Sequence, residues 1–232
     1  MKRKIIRIAA IVILVAGLGI FLFPYITNWL YEQNAEWIIT VFDDKNLKDS
    51  GGGSEPYLPE LYAEMQAYNR EIYSNKQADL KDAFSYQETS FDLSEWGFAD
   101  NMVGYINIPQ MGIKLPIYLG ATTENLDKGA AHLSQTSLPI GGDNTNCVLA
   151  AHRSKVTAEM FKNIEEMQPG DEIFITNLWE TLRYQVVESK IIEPDEVREI
   201  HIREGKDMVT LFTCHPQRST RLRYVVYCER VS

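Results

Sequence analysis

The sequence predicts a mainly β fold, a closed barrel or sandwich of short strands set behind N-terminal helices. From Met102 onward, brief apolar runs of strand length alternate with turn-forming stretches, and helical periods are few and short. No strand–helix–strand alternation appears that would ask for a parallel sheet. Before Met102 the apolar residues recur instead at three- and four-residue intervals, the helical period.

The first residues carry a basic cluster, Lys2, Arg3, Lys4 and Arg7, which defines a segment over residues 1–7. An apolar run from Ile8 to Phe23 follows. With its flanks it reaches the roughly 20 residues needed to cross a bilayer, so residues 8–27 are assigned as an anchor. Positive charge ahead of the span places the N-terminus in the cytoplasm and the rest outside, with Tyr25 and Trp29 at the level of an interfacial aromatic belt. A cleaved signal peptide would need small residues at its cleavage site, and Phe23-Pro24-Tyr25-Ile26-Thr27-Asn28-Trp29 supplies none. The expectation is a single-pass protein of the cell membrane with an extracellular domain.

Residues 28–73 keep helical spacing through Trp37-Ile38-Ile39 and Val41-Phe42. Within them, residues 49–54, ending in Gly51-Gly52-Gly53-Ser54, read as a flexible linker. Leu58, Leu61, Tyr62, Met65, Tyr68 and Ile72 then form the stripe of a helix expected to brace the domain. Residues 74–101 lose periodicity and read as a functional flap or a disordered link.

The barrel is placed at residues 102–232. Val103–Ile108 and Ile113–Tyr118 flank a turn at Pro109-Gln110-Met111-Gly112, and Thr122–Lys128 gives one or two helical turns. Cys147–Ala151 reads as a buried strand, and Thr157–Ile164 as a short helix with Met160, Phe161 and Ile164 on one face. Glu172–Thr176 and Leu182–Ile192 pair across Asn177-Leu178-Trp179-Glu180, and Val209–Thr213 and Leu222–Val231 complete the set.

Charge narrows the function. The 23 basic and 32 acidic residues leave a net charge of −9, and no basic stripe interleaved with aromatics is present, which argues against a nucleic-acid partner. Three cysteines make no disulfide framework. Cys147 and Cys228 read as small buried hydrophobes within strands. Cys214 differs, because the strand Met208–Thr213 delivers its thiol at a strand end, and Arg223 follows nine residues later on the next strand. A thiolate beside a fixed positive charge is a nucleophile suited to acyl transfer.

His152 ends another apolar strand and is the preferred acid–base group. His215 follows Cys214 directly, so on a strand it points to the opposite face. His201 lies in a polar connection. His132 is a candidate for a supporting role at a cleft wall, with a structural hydrogen bond equally compatible. Arg221 and Arg223 share a face, and Arg218 lies in the intervening loop. Glu165, Glu166, Asp171 and Glu172 read as a solvated face, and no metal or cofactor is expected.

Thr210-Leu211-Phe212-Thr213-Cys214 with Arg223, and His152 at the end of its strand, resemble the signature of sortases, the cysteine transpeptidases of Gram-positive cell surfaces. Gly104-Tyr105-Ile106-Asn107-Ile108-Pro109, Leu115-Pro116-Ile117-Tyr118, His132-Leu133 with Thr136-Ser137-Leu138-Pro139-Ile140-Gly141-Gly142, and Ala151-His152-Arg153 resemble the pilin-polymerising class C. The likeness covers roughly residues 56–231. It implies an eight-stranded sortase-type barrel in which Cys214, His152 and Arg223 share one cleft, with Thr213 and His132 as possible supports.

It further implies cleavage of an LPxTG-like sorting signal, a thioacyl-enzyme on Cys214, and transfer to a pilin lysine amine. The implied partners are pilin or surface-protein substrates with a C-terminal sorting signal. The alternatives are a sortase that anchors surface proteins to peptidoglycan and a catalytically silent scaffold barrel. Class C members carry an Asp-Pro-aromatic lid; Asp82-Ala83-Phe84 stands at the matching place, with alanine where proline is usual. Asp82 and Phe84 are therefore the expected lid, and Asp92-Leu93-Ser94-Glu95-Trp96 the alternative plug. His215 stands where the class usually has threonine. The stretch from Ile192 to Met208 is too short for the helical insertion of class B, and a chain ending at Ser232 implies N-terminal anchoring only.

Overall fold

A computed structural model describes residues 2–46, 57–85, 88–98, 100–153 and 157–231. Its strands are β1 (Met102–Ile108), β2 (Ile113–Leu119), β3 (Ala130–His132), β4 (Thr145–Ala150), β5 (Glu172–Asn177), β6 (Thr181–Ile192), β7 (Asp207–His215) and β8 (Leu222–Arg230). They close into a barrel in the order β1-β2-β3-β4-β7-β8-β6-β5, with β5 paired back onto β1. The expected closed, eight-stranded barrel is present.

Two of its pairings, β2 with β3 and β4 with β7, are parallel, which the sequence reading did not expect. The β2–β3 crossover carries only the six residues of a first short helix, Thr123–Lys128, too brief to register as strand–helix–strand alternation. β3 itself is three residues long, below the length at which a period of two can be read. The helix expected at Thr157–Ile164 is also absent. Residues 157–163 run as irregular turns, and only Ile164–Glu166 forms a 3₁₀ turn. Met160, Phe161 and Ile164 are nevertheless buried, so the apolar spacing is met by chain looped over the barrel.

Barrel closure depends on a close approach at Gly104, where a Cβ would stand 2.1 Å from the Thr176 carbonyl oxygen of β5. The apolar residues divide into two clusters. Ile106, Ile108, Leu149, Ala151, Ile173, Leu211 and Val226 fill the barrel interior. Ala131, Val148, Ala150, Phe212 and Val225, from the opposite side of β3, β4, β7 and β8, pack under Leu80, Leu126 and Ile200. Side chains alternate along a strand, so Phe212 and Cys214 share the outer side, and Thr213 and His215 the inner.

The anchor and the segment after it form one helix, α1 (Lys2–Asn46), long and apolar enough to cross a membrane. Ile8, Ile13 and Phe21 are exposed on it, whereas Ala35, Ile39 and Phe42 are buried against the domain. Docking is polar as well. The Tyr31 hydroxyl donates to the Lys128 carbonyl at 3.0 Å, and the Glu159 N–H to Asn28 Oδ1 at 2.8 Å. The linker assigned to residues 49–54 lies outside the described residues.

The second helix, α2 (Pro59–Ser74), braces the barrel as expected. Leu61, Met65 and Ile72 are buried, and the Leu138 N–H donates to Asn69 Oδ1 at 2.7 Å. The short helix Thr123–Lys128 is α3. Its N-cap Thr122 accepts the Asn125 N–H at 3.1 Å, satisfying a helix-end donor. The flap over 74–101 lies against the barrel at several points. Thr89 backbone approaches Gly120 so closely that a Cβ there would meet it at 2.8 Å, and Leu93 is buried.

Candidate active site

β7 and β8 pair so that Cys214 faces Arg223 directly. β4 runs parallel to β7 with Ala150 level with Phe212, and the Ala151 N–H donates to the Phe212 carbonyl at 3.2 Å. Continuing that register two residues past β4 sets His152 level with Cys214. The Thr213 hydroxyl, fully enclosed, donates to the Ala151 carbonyl at 2.7 Å and pins the backbone just before His152. Three neighbouring strands, spaced about 4.8 Å apart, thus bring thiol, imidazole and guanidinium to one side of the sheet.

Asp82 and Phe84 lie on this constellation. The Asp82 carboxylate accepts two hydrogen bonds from Arg223, from Nε at 2.7 Å and from Nη2 at 2.8 Å. Arg223 Nη1 donates to the Thr220 and Leu222 carbonyls at 2.8 and 3.0 Å. The Phe84 ring stacks on Phe212 with centroids 6.2 Å apart and stands 6.1 Å from the His152 ring. The Arg223 guanidinium carbon sits 5.3 Å from the Phe84 ring centre. The alternative plug lies elsewhere: Asp92 accepts from the Ser94 N–H and hydroxyl, and Trp96 packs against the interior cluster.

Burial pushes the Cys214 thiol above its ordinary range, the Arg223 charge opposes that shift, and the Asp82 carboxylate adds to it. Cys147 and Cys228 are enclosed in the barrel wall, and burial drives their thiols far up, which leaves them inert. On the far side of His152, Nε2 is 3.7 Å from Asp127 Oδ1 on α3. Sequence reasoning passed over Asp127, because nothing local marks one acid in a six-residue helix. Glu165, read as part of a solvated face, is exposed as expected and also pairs at 2.5 Å with the buried Arg153.

His132 does not join the cluster. Ala131 and Leu133 face the outer layer, so His132 faces the other way, with Nε2 against the Thr136 and Ser137 carbonyls at 3.2 and 3.0 Å. Burial lowers its pKa from 6.5 to about 4. The unfolded chain takes up the proton near the ordinary value, while the fold resists it until about 4. Stability is therefore complete above pH 6.5 and falls as pH drops toward 4, by on the order of 3 kcal/mol. Urea midpoints measured across this window should show the loss, and His132→Gln should remove that part of the slope, from a lower starting stability.

The sortase domain family matches residues 106–231, more than half of the chain and the whole of the segment that bears Cys214, His152 and Arg223. The chain belongs to the sortase family. Sortases are cysteine transpeptidases, in keeping with a strand-end thiol set between an imidazole and a guanidinium. The structure is similar to that of group B Streptococcus pilus island 1 sortase C2, at 35% identity and a TM-score of 0.67, covering 74% of this chain and 95% of that one. It is also similar to sortase C-1 from Actinomyces oris, at 31% identity and a TM-score of 0.67, covering 76% and 99%. Among curated sequences, Sortase D of Bacillus subtilis strain 168 is 29% identical over 132 residues, which are 56% of this chain and 64% of that protein.

Proposed function

We propose that this sortase is a membrane-anchored, extracellular transpeptidase of the pilin-polymerising class, with Cys214, His152 and Arg223 as its catalytic residues and Asp82 and Phe84 as its lid. The observation that carries the proposal is the Asp82–Arg223 pair, since a lid that engages the site's own arginine accompanies the ordered alignment of the three side chains. The likeness to solved sortase C structures supports the class.

In this reading the Cys214 thiolate attacks the threonine carbonyl of an LPxTG-like signal. Arg223 donors stabilise the developing oxyanion. The carbon–nitrogen bond breaks as His152 protonates the leaving amine, leaving a thioacyl-enzyme. A pilin lysine amine then gives its proton to His152 and attacks the thioester, which forms an amide and returns the thiolate. Arg223 meets substrate only after Asp82 releases it, so lid opening precedes the first step.

Residues 1–7 stay in the cytoplasm, 8–27 cross the membrane, 28–73 link and brace, 74–101 form the lid segment, and 102–232 form the catalytic barrel. The exposed apolar stretch of α1 behind its basic start supports that orientation. Attachment of surface proteins to peptidoglycan is the second reading, since the curated relatives carry the names Sortase D and Sortase A and not sortase C.

Incubation with a sorting peptide should give a mass adduct on Cys214. Offering a pilin lysine and a peptidoglycan-type amine together should give mainly lysine-linked multimers. Preference for the peptidoglycan amine selects the second reading, and an absent adduct on every sorting peptide leaves a silent barrel.

A further inference from the structure

Each of the three aligned residues is followed by a side chain that points to the other side of the sheet: Arg153 after His152, His215 after Cys214, Tyr224 after Arg223. Those three meet one another around Glu165, which enters from the 3₁₀ turn Ile164–Glu166. Glu165 holds Arg153 Nη2 at 2.5 Å through one oxygen and lies 3.0 Å from His215 Nδ1 through the other. Arg153 Nη1 is 2.9 Å from the same His215 nitrogen. The Tyr224 ring lies 5.9 Å from the His215 ring and 5.9 Å from the Arg153 guanidinium carbon. Arg153 is 6% exposed, and its enclosed charge is met by the carboxylate of Glu165, whose side chain is 45% exposed.

The geometry points to a positioning function: Glu165, Arg153 and His215 form a brace on the inner side of the sheet that fixes the end of β4 against the end of β7 and so sets the approach of His152 to Cys214. The inference deepens the proposed function and rests on Cys214 and His152 being the reacting pair. The physical need is plain. The β4–β7 ladder ends with the bond from the Ala151 N–H to the Phe212 carbonyl, and the His152 carbonyl accepts from the Phe161 N–H of the looped segment at 3.1 Å rather than from β7. Thr213 ties the backbone at Ala151, one residue short of His152. The brace acts on Arg153, one residue past it, so the imidazole is held from both sides. Displacement of a reacting group by about 1 Å is enough to cost up to 100-fold in rate.

His215 Nδ1 serves either partner. With a proton it donates to Glu165, and without one it accepts from Arg153; both states link β7 to β4. An asparagine at 215 places an amide atom where Nδ1 stands and should preserve the link, whereas alanine removes it.

The test is a double-mutant cycle in the full-length chain. The change that His152→Ala makes in the alkylation rate of Cys214 measures thiol–imidazole contact. That change should shrink severalfold in the Glu165→Gln and His215→Ala backgrounds and persist in His215→Asn. Single-turnover acylation by a sorting peptide should fall roughly tenfold in Glu165→Gln and His215→Ala, with KM within about twofold. His215→Ala leaves the Arg153–Glu165 pair intact, so its thermal midpoint should stay near wild type and separate positioning from loss of fold. Undiminished cycle coupling with wild-type acylation in both variants overturns the brace. A wild-type chain that shows coupling but acylates on no sorting peptide overturns the transpeptidase reading and leaves the brace standing. A wild-type chain without coupling overturns both.

Discussion

Cys214→Ala should reduce thioacyl formation and transpeptidation to background, a loss of at least about a thousandfold. Alanine carries no nucleophile, and Cys214 is the residue of β7 that faces Arg223 on β8. The contrast with the other two thiols sharpens the expectation. Cys147 is 3% exposed and Cys228 fully enclosed, and neither can meet a peptide carbonyl without unfolding the barrel wall. Cys147→Ala should therefore retain transfer at near wild-type rates, at a stability cost of about 1 kcal/mol for the volume removed. Peptide mass spectrometry of the trapped intermediate reads both results, and an adduct persisting in Cys214→Ala would overturn the assignment.

Asp82→Ala should raise the rate of Cys214 alkylation by roughly tenfold or more, and Phe84→Ala by a similar factor. The closed lid is held by a bidentate, charge-assisted contact worth about 2–3 kcal/mol and by a half-buried ring worth about 1 kcal/mol. Loss of either moves a closed population measurably toward open. The pH response should move as well. Burial raises the thiol, Asp82 raises it further, and Arg223 lowers it. Removing Asp82 deletes a raising influence and admits water, so the alkylation midpoint in Asp82→Ala should lie below that of the intact protein. An unchanged rate and midpoint in both variants would mean that the described lid does not control access to the thiol.

If Asp82 and Phe84 act as the proposed lid, this arrangement is expected to be chemically quiet for two separate reasons. Phe84 covers the reacting side of Phe212 and stands against His152, while Asp82 occupies Arg223 Nε and Nη2. A sorting peptide that opens the lid must replace both an ionic contact and an apolar one. A substrate with an apolar side chain near its scissile bond and backbone carbonyls for the arginine answers that requirement. The alanine between Asp82 and Phe84, unlike proline, leaves φ unrestricted, so the lid is held by its two side-chain contacts.

How much was legible beforehand differs by element. Strands β1, β2, β4, β5, β6, β7 and β8 announce themselves by apolar runs between turn residues, because each buries enough side chains to impose a local pattern. β3 did not, since three residues carry no measurable period. The spacing of Met160, Phe161 and Ile164 reads as a helix over Thr157–Ile164, yet these residues are buried by looped chain and only Ile164–Glu166 forms a 3₁₀ turn. Glu165 is exposed, as its sequence suggests, yet nothing local marks it as the partner of Arg153 and His215, which arrive from elsewhere. The sequence leaves His132 open between a cleft and a structural role, and its place on the inner side of β3 decides for the latter.

The sequence by itself determined the apolar N-terminal span, the brace helix, the strand-rich domain and the three residues at strand ends, all of which are properties of neighbours along the chain. Only the tertiary structure decided that β4 lies parallel to β7, that Asp82 reaches Arg223 across 141 residues of sequence, and that Arg153, Glu165 and His215 meet behind the site. Spacing along a chain records which face a side chain takes; it does not record which strand will lie beside it. That second choice is made by barrel closure, where register and burial are settled together.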